Sequence, residues 1–165
     1  MTGILRTILA EGITAALPQG WEYSAESFDA ISATGIDMSN GSCQAHFQLL
    51  NPKNQSANDF LSSYKFSLMQ GLSELGVIFE AIDPRFPSEL RATKEGVEGT
   101  IIHSFIPTNP VGHLSAIAKT PSDILEVRLI AESIQIDSIS RIKTEDELVP
   151  MRLSSEWHKS PATQS

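Results

Sequence analysis

Cysteine is almost missing from this chain. One thiol, Cys43, in 165 residues excludes an intramolecular disulfide framework and the thiolate clusters of structural zinc sites. Long apolar runs are missing as well. No stretch nears the roughly 18 residues that a membrane-spanning helix needs, and the short apolar segment before Glu11 is too brief for the core of a signal peptide. Basic residues are scarce: 12 Lys and Arg stand against 20 Asp and Glu, for a formal net charge of −8. A field of that sign repels phosphates, which argues against nucleic acid and anionic membranes as partners. Aromatic residues make up only 7%, too few to suggest the aromatic-rich cleft of a glycoside hydrolase. The expectation is a cytoplasmic protein with no membrane insertion.

What is present reads as one α+β domain, over residues 1–145, with a poorly ordered polar tail over 146–165. Hydrophobic residues at 41% and charged residues at 19% are ordinary for a globular chain. Cys43, Ala45, Phe47 and Leu49 alternate with Gln44, His46 and Gln48, the period of a half-buried strand. Phe60, Tyr64, Leu68, Leu72 and Leu75 recur at helical spacing, widened by Leu61 and Met69. That pattern predicts one main amphipathic helix over about 57–75, capped by Ser56 or Asn58 and closed by Gly76. Around it the sequence predicts an antiparallel sheet. A hairpin is expected at Glu11-Gly12 and another at Asn40-Gly41, with extended segments at 28–33, 36–38, 44–50, 77–82, 100–106 and 113–119. Leu125, Val127, Leu129 and Ala131 alternate with Glu126, Arg128 and Glu132, and so predict a further strand. Ser133 to Ile142 is expected to begin as a strand and then become irregular.

No catalytic motif emerges. His46, His103 and His113 fall on three predicted strands, but they lack tight His-x-His or helical spacing and no acidic ligand accompanies them. No metal or cofactor is expected, and His158 is expected in solvent. Cys43 shares the apolar face of its strand with Ala45 and Phe47, so it reads as a small buried hydrophobe rather than a nucleophile. Glycines do not form a phosphate-binding loop. Trp21, Tyr23 and Phe86 lie near turn residues as candidate anchors for a partner. Ile102, Ile106 and Ile130 would form an apolar patch if the outer face of the sheet lacked a second cover.

The order of parts also carries a resemblance. Leu17, Pro18, Gln19, Gly20 and Trp21 close an N-terminal extended segment; strands, an amphipathic helix and the run from Ile124 to Ser133 follow. This resembles the PsbP-like superfamily, which includes an extrinsic photosystem subunit, a Ran-binding import factor, DcrB-like proteins and adaptors of type VI secretion effectors. The resemblance implies an antiparallel sheet serving as a binding module without chemistry. The leading expectation is therefore a non-enzymatic adaptor or chaperone, expected as a homodimer, holding an apolar segment of a protein partner such as a secreted effector. The alternatives are a small-molecule domain with an apolar ligand between helix and sheet, and an enzyme built around His46, His103 and nearby acids.

Overall fold

Alternation at period two and one long helical stripe produce a layered α+β architecture. The computed structural model describes residues 5–10, 12–24, 35–52, 54–108 and 110–136. The predicted strand at 28–33, the end of the segment from Ser133 to Ile142, the domain limit at 145 and the tail over 146–165 lie outside these residues. In chain order the elements are β1 (Leu5–Ala10), β2 (Ile13–Leu17), β3 (Glu22–Ser24), β4 (Gly35–Ser39), β5 (Gln44–Leu50), α1 (Ala57–Glu74), β6 (Val77–Phe79), β7 (Glu89–Lys94), β8 (Val97–Ile106), β9 (Val111–Ala118), α2 (Pro121–Ser133) and β10 (Gln135–Ile136).

The strands form a seven-stranded antiparallel sheet, ordered β3-β4-β5-β9-β8-β7-β6, and a three-stranded sheet, β1-β2-β10. Asn40-Gly41 starts the predicted hairpin turn, with Gly41 at φ 93°. The register of β8 against β9 sorts the central side chains. Ile101, His103 and Phe105 share one face with Ile117, Ser115 and His113, whereas Ile102, Ser104 and Ile106 share the other with Ala116, Leu114 and Gly112.

Helix α1 covers the first face. Ser56 caps it by accepting the Asp59 backbone N–H at 3.1 Å, and Asp59 places a negative charge at the positive end of the helix dipole. Gly76, at φ 94°, donates its N–H to the Ser73 carbonyl at 3.0 Å, ending the helix as expected of a glycine there. Its stripe of Leu61, Tyr64, Leu68 and Leu72 packs with Leu50, Leu90, Ile101, Phe105, Val111 and Ile117.

The second face corrects the sequence reading. Residues 125–131 are not a strand; they belong to α2. Thr120 accepts the Asp123 N–H at 3.0 Å while the Asp123 carboxylate accepts the Thr120 N–H at 3.2 Å, and Pro121 occupies the first helical turn. This reciprocal cap satisfies donors that a helix start would otherwise leave bare. Asp123 also accepts from Asn40 at 3.0 Å and Ser42 at 2.8 Å, which ties the β4–β5 turn to the start of α2. Burial disfavours its charge, but these donors and the Lys119 and Thr120 N–H groups outweigh that and hold its pKa below the usual carboxylate range. Such a group stabilises the fold above the unfolded carboxylate value of about 3.9, and that contribution fades as pH falls through the folded value.

Val127, Ile130 and Ile134 of α2 and its C-cap pack with Leu9, Ile13, Ala15 and Leu17 of the small sheet against Ile36, Phe47, Ile102, Leu114 and Ala116. The expected apolar patch is therefore absent. Ile102 and Ile130 are both 0% exposed, because a second helix and a second sheet already cover the face they were expected to leave open.

Candidate binding cleft and a buried imidazole network

Residues 83–88 lead into β7 beside α2. Two prolines keep this stretch out of the ladder, and Asp83 folds it locally. Its side chain accepts the Arg85 N–H at 2.9 Å, and its carbonyl accepts the Phe86 N–H at 2.9 Å. The Arg85 guanidinium closes the turn with a 2.9 Å ion pair to the same carboxylate. Hydrogen bonding from Arg85 holds the Asp83 pKa down at about 2.

Phe86 is thereby presented to Arg128 of α2, whose guanidinium carbon lies 3.6 Å from the ring centroid. Arg128 also grips Glu89 through two bonds, Nη2 to Oε1 at 3.0 Å and Nε to Oε2 at 3.2 Å. Arg91 adds a third bond to Glu89 Oε1 at 3.0 Å. The Glu89 carboxylate is buried, so these donors replace the water it has lost.

Between this clamp, the end of β8 and the last turn of α2 lies an open cleft of about 340 Å³. Phe86, Ile106, Pro107, Ala131 and Ile134 give it apolar walls; Arg85, Ser88, Glu89, Ser104, Arg128 and Glu132 supply polar groups. A concavity of this size and mixed lining is typical of a small-ligand site.

The candidate anchors named from sequence separate in space. Phe86 and Ile106 line the cleft. Trp21 is instead a packing residue, 8% exposed, with its indole N–H donating to Glu126 of α2 at 2.8 Å. Tyr23 stands 45% exposed on edge strand β3. Ile102 and Ile130 belong to the core and cannot meet a partner. Arg128, Glu89 and Ser104 were missed as cleft residues. Reading 125–131 as a strand set Arg128 merely opposite Leu129, and β7, which carries Glu89, was not foreseen at all.

A second polar cluster lies under α1. Gln48, Tyr64, His103, His113 and Ser115 are all buried. Gln48 Nε2 stands 3.4 Å from both Tyr64 Oη and His113 Nδ1. An amide N–H only donates, so His113 Nδ1 is an acceptor, and Tyr64 donates to it at 2.7 Å. His113 then carries its proton on Nε2 and donates to His103 Nδ1 at 2.9 Å. Ser115 Oγ stands 3.2 Å from His113 Nε2 and 3.3 Å from His103 Nδ1. Burial raises the Tyr64 pKa well above its ordinary value, which keeps it the neutral donor this chain requires.

Along one cross-strand row the same face carries Asp37, His46, Ser115 and His103. His46 Nδ1 pairs with the Asp37 carboxylate at 2.7 Å. The three strand histidines therefore share a face, yet among the described residues no group of three His, Cys, Asp or Glu side chains has the geometry to hold a metal ion.

This network gives a direct stability test. Tyr64→Phe keeps the ring and removes the donor to His113, so unfolding in urea is expected to show a loss of about 1–3 kcal/mol. A change under about 0.5 kcal/mol would mean that the imidazole chain does not depend on it.

Cys43 is 0% exposed, and burial, reinforced by Asp123 and Glu126, pushes its thiol up to about 12. Thiolate is the reactive form, so Cys43 is expected to resist a disulfide reagent at pH 8 in native protein and to react at once in denaturant. Rapid native labelling would contradict its placement.

Comparison with protein-family models, curated proteins and solved structures gave no match to this chain. The class follows from the fold: among the described residues this is an α+β protein of mostly antiparallel sheets with one main helix of 18 residues and a second helix of 13. Among the described residues no helix is long and apolar enough to cross a membrane.

Proposed function

We propose that the protein is a non-enzymatic binding module whose site is the cleft at Phe86, with an apolar small molecule as its ligand. The observation that carries this reading is the cleft itself, an open concavity of about 340 Å³ with apolar walls and polar groups converging from β7, β8 and α2. The covered outer face of the sheet favours it over a broad open sheet surface, which an adaptor shielding a client there would need. A binding role without chemistry also agrees with the PsbP-like resemblance of the segment ending at Trp21.

The test is a thermal-shift and native mass spectrometry screen with small apolar compounds, run on the wild type and on Ile106→Trp. A ligand at one hundred times its Kd would stabilise the native state by about 2.7 kcal/mol. The larger side chain at 106 should abolish that stabilisation by filling the cleft. Stabilisation equal in both proteins, or none with any compound, would count against the reading.

A protein-binding adaptor remains the second reading, and one feature favours it. Ile78, Ile82 and Leu75 are 68%, 49% and 42% exposed on or beside edge strand β6, where a partner or a second copy could add a strand. Light scattering after size exclusion, compared between wild type and Ile78→Lys, tests the homodimer form of this idea. A monomer in both weighs against it.

A further inference from the structure

The cleft is asymmetric in its chemistry, and that asymmetry points to a ligand class. Resting on the proposal that the cleft is a binding site, we propose that it takes an aliphatic monocarboxylate, with the acyl chain against Ile106, Ala131 and Ile134 and the carboxylate at Arg128 and Ser104.

Three observations converge. First, Phe86 gathers two guanidinium groups, the Arg128 carbon 3.6 Å and the Arg85 carbon 5.5 Å from the ring centroid. Each spends only Nε and Nη2 on its protein carboxylate, Glu89 for Arg128 and Asp83 for Arg85. Their Nη1 groups hold no bond to a described residue, and guanidinium donors left over in this way suit a carboxylate. Second, Ser104 lines the cleft and is only 6% exposed, yet its hydroxyl makes no hydrogen bond to any described residue. Its oxygen opens to the cleft rather than being sealed off from water, so a ligand oxygen there would take the place of solvent as its partner. Third, the opposite wall is apolar, so the ligand must carry a hydrophobic body.

The charge of the head is bounded as well. Glu89 and Glu132 also line the cleft, and their negative charge opposes a dianion such as a phosphate monoester. Asp83 and Glu89 already match the two guanidinium charges, so their spare edges offer hydrogen-bond donors and not net positive charge, which suits a singly charged head better than a dianion. The overall charge of −8 gives no long-range attraction for anions, so recognition must come from these short contacts.

The experiment is isothermal titration calorimetry on the full chain with octanoate and 1-octanol, which share a chain and differ in the head. Octanoate is expected to bind about ten-fold or more tightly than octanol, the difference made by one charge-assisted hydrogen bond. Ser104→Ala removes a hydroxyl that bonds no described residue, and Arg85→Lys keeps a cation beside Asp83 while removing the spare Nη1 edge, so both variants should fold; each should weaken octanoate several-fold more than octanol. Octanol binding as tightly as octanoate would overturn the carboxylate while leaving the cleft a binding site. Octanoate binding untouched by both variants would place it elsewhere and overturn the assignment. Failure of both probes to bind overturns the inference, and the Ile106→Trp screen then decides separately whether the cleft binds other apolar compounds.

Discussion

Ile130→Ala is expected to lower the unfolding free energy by about 2–5 kcal/mol, while Leu125→Ala changes it by no more than about 0.5 kcal/mol. The contrast follows from α2. Ile130 is 0% exposed between the two sheets, whereas Leu125, one residue type away and only five positions earlier, is 63% exposed. Truncating Ile130 leaves a void among Val127, Ile102 and Leu114 that rigid sheets cannot close. Against a total stability of about 5–15 kcal/mol for a domain, the upper end of this loss is severe. A strand over 125–131 would reverse the grouping, setting Leu125 with Val127 and Leu129 on one buried side and Ile130 on the other. Equilibrium urea unfolding of the two variants separates the alternatives; comparable losses in both would contradict the helix.

Glu89→Ala is the second large effect, expected at about 3 kcal/mol. That is the low end of the cost of breaking a buried ion pair by removing one partner. The low end applies because the Arg91 side chain is 30% exposed and can turn to water, while Arg128 at 17% cannot do so as freely. Glu89→Gln keeps the shape and one accepting oxygen, so it should lose less than the alanine variant. The signature is the order of the two midpoints in urea, with Gln between wild type and Ala. A Gln variant as damaged as the Ala variant would mean that charge alone, and not the clamp geometry, stabilises the site. An Ala variant as stable as wild type would contradict the clamp altogether.

Much of the fold was legible because local signals agreed with the final packing. The 57–75 helix had a capping serine, an acid in its first turn, a terminal glycine and an apolar stripe, and all perform their expected roles except Leu75, which falls at the C-cap and is 42% exposed. The hairpins at Gly12 and Gly41 were legible because residues that tolerate positive φ sit between alternating segments. Helix α2 was misread because its apolar residues fit two periods at once. Leu125, Val127, Leu129 and Ala131 alternate, but Ile124, Val127, Ile130 and Ile134 step by three and four. The deciding signal was local: Thr120-Pro121-Ser122-Asp123 is a capping box with proline in the first turn, and it announces a helix. Strand β7 was missed for a different reason. Its short run has only Leu90 and Ala92 as core residues, and the Glu95-Gly96 turn that pairs it with β8 went unread as a hairpin signal.

The candidate site was far less legible. Phe86, singled out as an aromatic anchor beside turn residues, and Ile106 both line the cleft, but the open sheet face that was the reason for naming Ile106 does not exist. The cleft depends on Arg128 lying one helix away from Phe86 and on Ser104 and Glu89 meeting across paired strands. Those are tertiary juxtapositions, and no spacing in the chain encodes them. Trp21 misled for a physical reason as well: an indole near a turn can anchor a partner or plug its own fold, and here its N–H is already taken by Glu126.

The most direct measurement is a backbone amide NMR map of the full chain titrated with octanoate. A binding module centred on the clamp of Phe86 and Arg128 predicts shift changes concentrated over residues 85–89, 104–107 and 128–134, saturating together at one affinity. Changes centred on the far edge at β3, spread along β6, or absent at saturating concentration would contradict it.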